Sequence, residues 1–137
     1  LALCRGHLEH ENEFLHTAIE ARRPGALLRI AGEHEEHLDA IAALEADAAA
    51  LRALPGTAAA HRFYRHLALF VADNFQHMQV EETAHNAVLW AHYSDDELLA
   101  VEHALVASIP PAAMFEALHW FLPALSAPER AACRSRA

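Results

Sequence analysis

The chain has 137 residues, and its 10 Lys and Arg against 19 Asp and Glu give a formal charge of -9. That length fits one domain able to bury about two thirds of the surface its unfolded form exposes. The charge argues against a nucleic-acid footprint or an anionic membrane and suits a cationic partner such as a metal ion.

Two cysteines, Cys4 and Cys133, are too few for a disulfide framework or a thiolate zinc site and read as ordinary thiols in a reducing compartment. No apolar run reaches the roughly 18 residues of a membrane span, and the first residues lack the charged and apolar regions of a signal peptide. The expectation is a cytoplasmic protein with no membrane partner and no nucleic-acid partner.

Few glycines, abundant Ala and Leu and few β-branched residues predict an all-α chain. It opens inside a helix that runs to the RRPG stop, giving a first core helix over about 1–22. LPGT at 54–57 ends a second helix over about 26–53 and leaves Thr57 as the N-cap of a third, over about 57–93. Ser94 with Glu97 three residues on is a capping-box pattern that restarts a shorter helix. Pro111 is placed to open another, and SAPE at 126–129 repeats the capping pattern, so short helices follow over about 95–136. The whole, 1–137, reads as a single domain.

Helical spacing then locates the buried faces. In the third helix Phe63, Phe70, His77 and Ala84 recur every seven residues, beside a column of Leu67, Asn74, Glu81 and Val88. In the second, Ile30, His37, Leu44 and Leu51 form one column and Leu27, His34, Ile41 and Ala48 the other. In the first, Leu3, Cys4, His7, Glu11, Phe14 and Ala18 share a face.

Imidazoles and carboxylates therefore fall inside apolar stripes. HLEHE at 7–11 and HMQVE at 77–81 each carry His-x-x-x-Glu, which puts both side chains on one helical face. An ionised carboxylate in an apolar core is very costly unpaired, and neither Arg nor Lys shares these columns. A divalent metal is the natural compensation. Imidazole and carboxylate ligands suit Fe, Mn or Zn, and helical bundle cores are where inward-facing Glu and His build di-metal sites. The candidate ligands are His7, Glu11, His34, His37, His77 and Glu81, with the choice between His34 and His37 open. Of the twelve histidines, His16 and His85 read as solvated or locally paired, and His66 as a simple buried helix residue. Asp73 and Asn74, one turn before His77, either orient a ligand by a hydrogen bond or simply give the helix a polar face, and the sequence fits both equally.

The ordered set His-x-x-x-Glu, His, His-x-x-x-Glu resembles the hemerythrin-like (HHE cation-binding) family, through HLEHENEFLHTAIEARRPG, EHEEHL and HMQVEETAHNAVLW. AHYSDDEL and FEALHWFLPALSAPER are similar to the extension of bacterial members. The resemblance implies an up-down four-helix bundle with short C-terminal helices, a non-haem di-iron centre, and binding or sensing of O2 or another diatomic or redox signal. It also implies a further helix, carrying another histidine, ahead of Leu1. The alternatives are a di-iron oxidase or peroxidase, an iron-handling or repair enzyme, and a regulatory bundle with a structural metal. A metal other than iron, and a homodimer, are compatible with the same pattern.

Overall fold

The computed structural model describes residues 1–135. Among the described residues every regular element is helical, as expected for an all-α chain. Helix α1 (Ala2–His10) passes through a π-helical turn (Glu11–Leu15) into α2 (His16–Arg22) without leaving helical backbone angles. Helix α3 (Leu28–Ala53) follows the RRPG turn, where Gly25 takes the positive φ of 81° that an L side chain resists. Helix α4 (Thr57–Val80) passes through a second π turn (Glu81–His85) into α5 (Asn86–His92). Helices α6 (Asp95–Ser108), α7 (Pro111–Ala124) and α8 (Ala127–Ser135) complete the chain. The expected last position of the final helix, 136, lies outside the described residues. No single described helix is long and apolar enough to cross a membrane, although α6 and α7, bent by 113°, satisfy length and composition as a pair.

The punctuation reads largely as expected. Ser94 and Glu97 form a reciprocal capping box, and Pro111 opens α7. Thr57 does not act as an N-cap: Gly56 holds that position with extended backbone, and Thr57 is already the first helical residue.

Two apolar clusters hold the long helices together. Leu8, Ile41, Leu44 and Phe70 form one; Ala18, Ile19, Leu27, Val88 and Leu89 form the other. Each fully buried Leu or Ile contributes about 1.5–3 kcal/mol relative to exposure. Along every long helix a polar stretch separates the two: Glu11 to His16 between Leu8 and Ala18, His34 and His37 between Leu27 and Ile41, and His77 to His85 between Phe70 and Val88. A polar layer thus lies between two oily plugs. Tyr93 fastens the second plug by donating its hydroxyl to the Ala18 carbonyl at 2.7 Å, while Arg22 lies 4.7 Å over the Tyr93 ring and 2.8 Å from Glu97.

The seven-residue columns hold up to the π turns and then slip. Phe70 and His77 are buried, and beyond the turns Ala18 and Val88 are still buried as their columns predict, but Ala84 is exposed and His85 is buried in its place. A π turn closes its hydrogen bonds over five residues instead of four, so one extra residue enters and every later position rotates. Both π turns begin on a glutamate, Glu11 and Glu81.

Candidate metal centre

Five of the six residues singled out by spacing converge. His7 Nε2 stands 3.4 Å from Glu11 Oε2 and 3.6 Å from Glu81 Oε2. His34 Nε2 lies 3.7 Å from Glu11 Oε2 and 3.5 Å from Glu81 Oε1, and His77 Nε2 lies 2.6 Å from Glu81 Oε1. Bonds of about 2.0–2.2 Å to one ion put neighbouring ligand atoms about 3–3.5 Å apart, and four of these five pairs lie within or just beyond that range. Glu11, His34, His77 and Glu81 each bring one ligating atom within 4.8 Å of all the others, and all four are buried. His7 is the outermost, with 39% of its side chain exposed.

His37 is buried but stands apart from that group. Its ring lies 4.7 Å from that of His77 and 5.9 Å from Phe70. Of the two histidines left open by the sequence, His34 is the one in the cluster.

Spacing passed over three participants. His16 and His85 are buried and, with Glu81, form a second group of ligating atoms that shares this carboxylate with the first. Against the expectation of solvated or locally paired rings, neither is solvated, and His16 is locally paired, with Asn12 four residues before it. On an ideal α-helix a residue five beyond Glu11 points well away from it, but the π turn brings His16 round to the same side. His85 had a legible signal, since His77, Glu81 and His85 repeat every four residues. The third is Asn12, whose Oδ1 lies 3.1 Å from His16 Nδ1 and 2.9 Å from His34 Nδ1. Asp73 is instead exposed, and His66 is largely exposed, paired at 2.6 Å with Asp47.

These Nδ1 contacts fix the tautomers. An amide, carbonyl or carboxylate oxygen can only accept, so the ring nitrogen facing it carries the proton. His16 and His34 donate to Asn12 Oδ1, His37 donates to the Glu33 carbonyl at 2.8 Å, and His77 faces Glu33 Oε2 at 3.4 Å. In the neutral ring the lone pair is then on Nε2. Among the described residues, the buried side-chain atoms without a hydrogen-bond partner are Nε2 of His7, His16, His34, His37 and His77, with Glu11 Oε2 and both Glu81 oxygens. The 2.6 Å approach of His77 Nε2 to Glu81 is close but not aligned as a hydrogen bond. His7, Glu11, His16, His34, His77 and Glu81 thus gather unpartnered polar atoms in one buried layer, while His37 stands apart.

The electrostatics carry the same signature. Burial, and then the neighbouring Glu81, push the Glu11 carboxyl up to about 9. Burial alone would also raise Glu81, but contacts with His34, His7 and His77 outweigh it and hold Glu81 well below the usual carboxylate range. Two carboxylates this close do not both ionise without a cation between them. Burial and the adjacent His34 and His85 rings bring His16 down to about 4, and burial also lowers His85. Burial opposes a proton on His77, yet Glu81 and Glu33 win and raise it.

The residues thus fit a metal: buried anionic and imidazole donors, tautomers set from outside, and two groups sharing Glu81. No known family, curated protein or solved structure matches the chain.

Proposed function

We propose that the chain is a cytoplasmic, hemerythrin-like up-down four-helix-bundle protein holding a binuclear non-haem metal centre, with iron as its metal, that binds or senses O2 or a similar small ligand. The observation that carries this reading is the set of buried lone pairs without partners on His7, Glu11, His16, His34, His77 and Glu81. His7, Glu11, His34, His77 and Glu81 would hold one side of the centre, and His16 and His85 the other, across the shared Glu81. When bound, an iron pair supplies reversible redox chemistry and an open coordination position. The chain's own part is to anchor the rings through Asn12 and Glu33, to seal the layer between its apolar clusters, and to leave one edge accessible at His7.

A specific observation favours an oxidase as the second reading. A cavity of about 310 Å³ lies beside His7 and Glu11, walled by Leu3, Leu15, Leu105, Ile109 and Ala113. That is far more room than a diatomic needs and is within the range that holds an organic molecule.

Anaerobic loading with Fe(II), a count of metal per chain, and admission of O2 under a visible spectrometer test the proposal. About two ions per chain and new charge-transfer absorption are expected. A single ion with a silent spectrum would sink it. Rapid turnover of an added apolar reductant, lost when Ala113→Leu narrows the cavity, would favour the oxidase.

A further inference from the structure

We propose that the crevice between α3 and α4 is the vestibule through which a divalent cation reaches the centre, with Glu36 and Asp73 at its mouth and His37 and His77 as its inner wall. The inference rests on reading the centre as a metal site. It concerns a different feature, the way in.

Ligating atoms buried this deeply need a route that a hydrated dication can follow. The cavity beside His7 is the poorer one: it reaches His7, His10 and Glu11, but the rest of its wall, including Leu3, Leu15, Leu105 and Ile109, is apolar and carries no carboxylate at the surface to draw an ion in. The α3–α4 crevice is about 350 Å³ and is lined by Glu33, Glu36, His37, Asp73, Gln76 and His77 among others. Glu36 and Asp73 are exposed, so their carboxylates attract a cation at the surface.

His37 makes this more than a cluster of surface acids. It is only 8% exposed, and its Nε2 has no hydrogen-bond partner. Because its Nδ1 is turned back to the Glu33 carbonyl of its own helix, Nε2 points away from α3. Its side chain lines both this crevice and a smaller adjoining one of about 80 Å³, each time with Glu36 and Asp73. Nor is His37 one of the four residues that close around a common point. A buried imidazole whose Nε2 the centre leaves unused therefore lines the acidic crevice.

Beyond it the donors continue inward. His77 has Nδ1 3.4 Å from Glu33 Oε2 on the crevice side and Nε2 2.6 Å from Glu81 Oε1 on the other. One ring thus touches both compartments. Carboxylates at the mouth, then His37, then His77 give an ion a replacement ligand at each stage of dehydration.

Stopped-flow uptake of Co(II) by the full chain, followed by its visible absorption at low ionic strength, tests this. Glu36→Gln with Asp73→Asn, both at exposed positions that folding tolerates, is expected to slow uptake about tenfold while leaving final stoichiometry and spectrum unchanged. The difference is expected to collapse in about 0.5 M salt, where such attraction is screened. His37→Gln should likewise slow uptake and leave the bound spectrum unaltered, and Ala113→Leu on the opposite side should not change the rate. Equal rates in wild type and all crevice variants overturn the vestibule while leaving the metal site intact. A loss of bound metal or an altered spectrum in His37→Gln overturns the transit role, making His37 a resident ligand. No Co(II) uptake by the wild type overturns the reading of the centre and the vestibule with it.

Discussion

Asn12 illustrates how one side chain positions two imidazoles. Its single amide oxygen faces Nδ1 of both His16 and His34, whose rings stack at 4.6 Å with 28° between their planes, so the two imidazoles are held in one tautomer and against each other. Removing such a partner typically weakens metal binding 10–100-fold without removing a ligand. Asn12→Ala is therefore expected to lower Co(II) affinity by that factor at unchanged stoichiometry, measured by competition with a chromogenic chelator. Unchanged affinity would show that ring packing alone sets the tautomers. The two glutamates should differ in kind. Glu81 belongs to both groups of ligating atoms and Glu11 to one. Glu81→Gln is expected to abolish binding of both ions, whereas Glu11→Gln should retain about one, as read by metal analysis after gel filtration. Equal losses in the two variants would contradict a shared Glu81.

At the scale of the element, the π turns decide how much of the centre could be read in advance. Where the helices are regular, seven-residue columns found the buried face: His34 with Leu27 and Ile41, His37 with Ile30 and Leu44, His77 with Phe70. The burial argument for carboxylates, applied to those columns, reached His7, Glu11, His34, His77 and Glu81. It failed for His16 and for Ala84, the positions whose direction depends on an extra residue in the turn. No local sequence cue marks a π turn; it persists where the buried polar groups gain from the rotation. Asn12 was missed for another reason, since an amide that braces two rings from outside the apolar stripe leaves no periodic trace. Deleting exposed Glu13 should convert the first π turn to α-helix and swing His16 off the centre. The expected outcome is a folded, helical chain by circular dichroism that binds about one ion where the wild type binds about two. Retention of both would mean that His16 is dispensable.

For the whole molecule, the buried layer separates two apolar clusters, so its protonation state feeds directly into stability. In the metal-free chain Glu11 keeps its proton to about pH 9, whereas an unfolded chain releases it near the ordinary 4.5. Across that window the native state holds the extra proton, and stability falls as pH rises. His16 works in the opposite direction, but only between about 4 and the ordinary 6.5, and the lowered His85 acts in the same sense as His16. From about pH 6.5 to 9 Glu11 therefore governs, reinforced by the raised His77. A one-proton difference corresponds to at most about 1.4 kcal/mol per pH unit, or about 3–6 °C in the midpoint for a domain of this size. Thermal melts of the metal-free protein should accordingly decline from pH 6.5 to 9. A bound cation takes the place of that proton, and its apparent affinity should rise about tenfold per pH unit as the competing proton becomes easier to displace. At a fixed, sub-saturating Mn(II) concentration the decline should flatten or reverse, because tighter binding to the native state adds stability at higher pH. Parallel melting curves with and without Mn(II) across this range would show that Glu11 does not exchange a proton for metal.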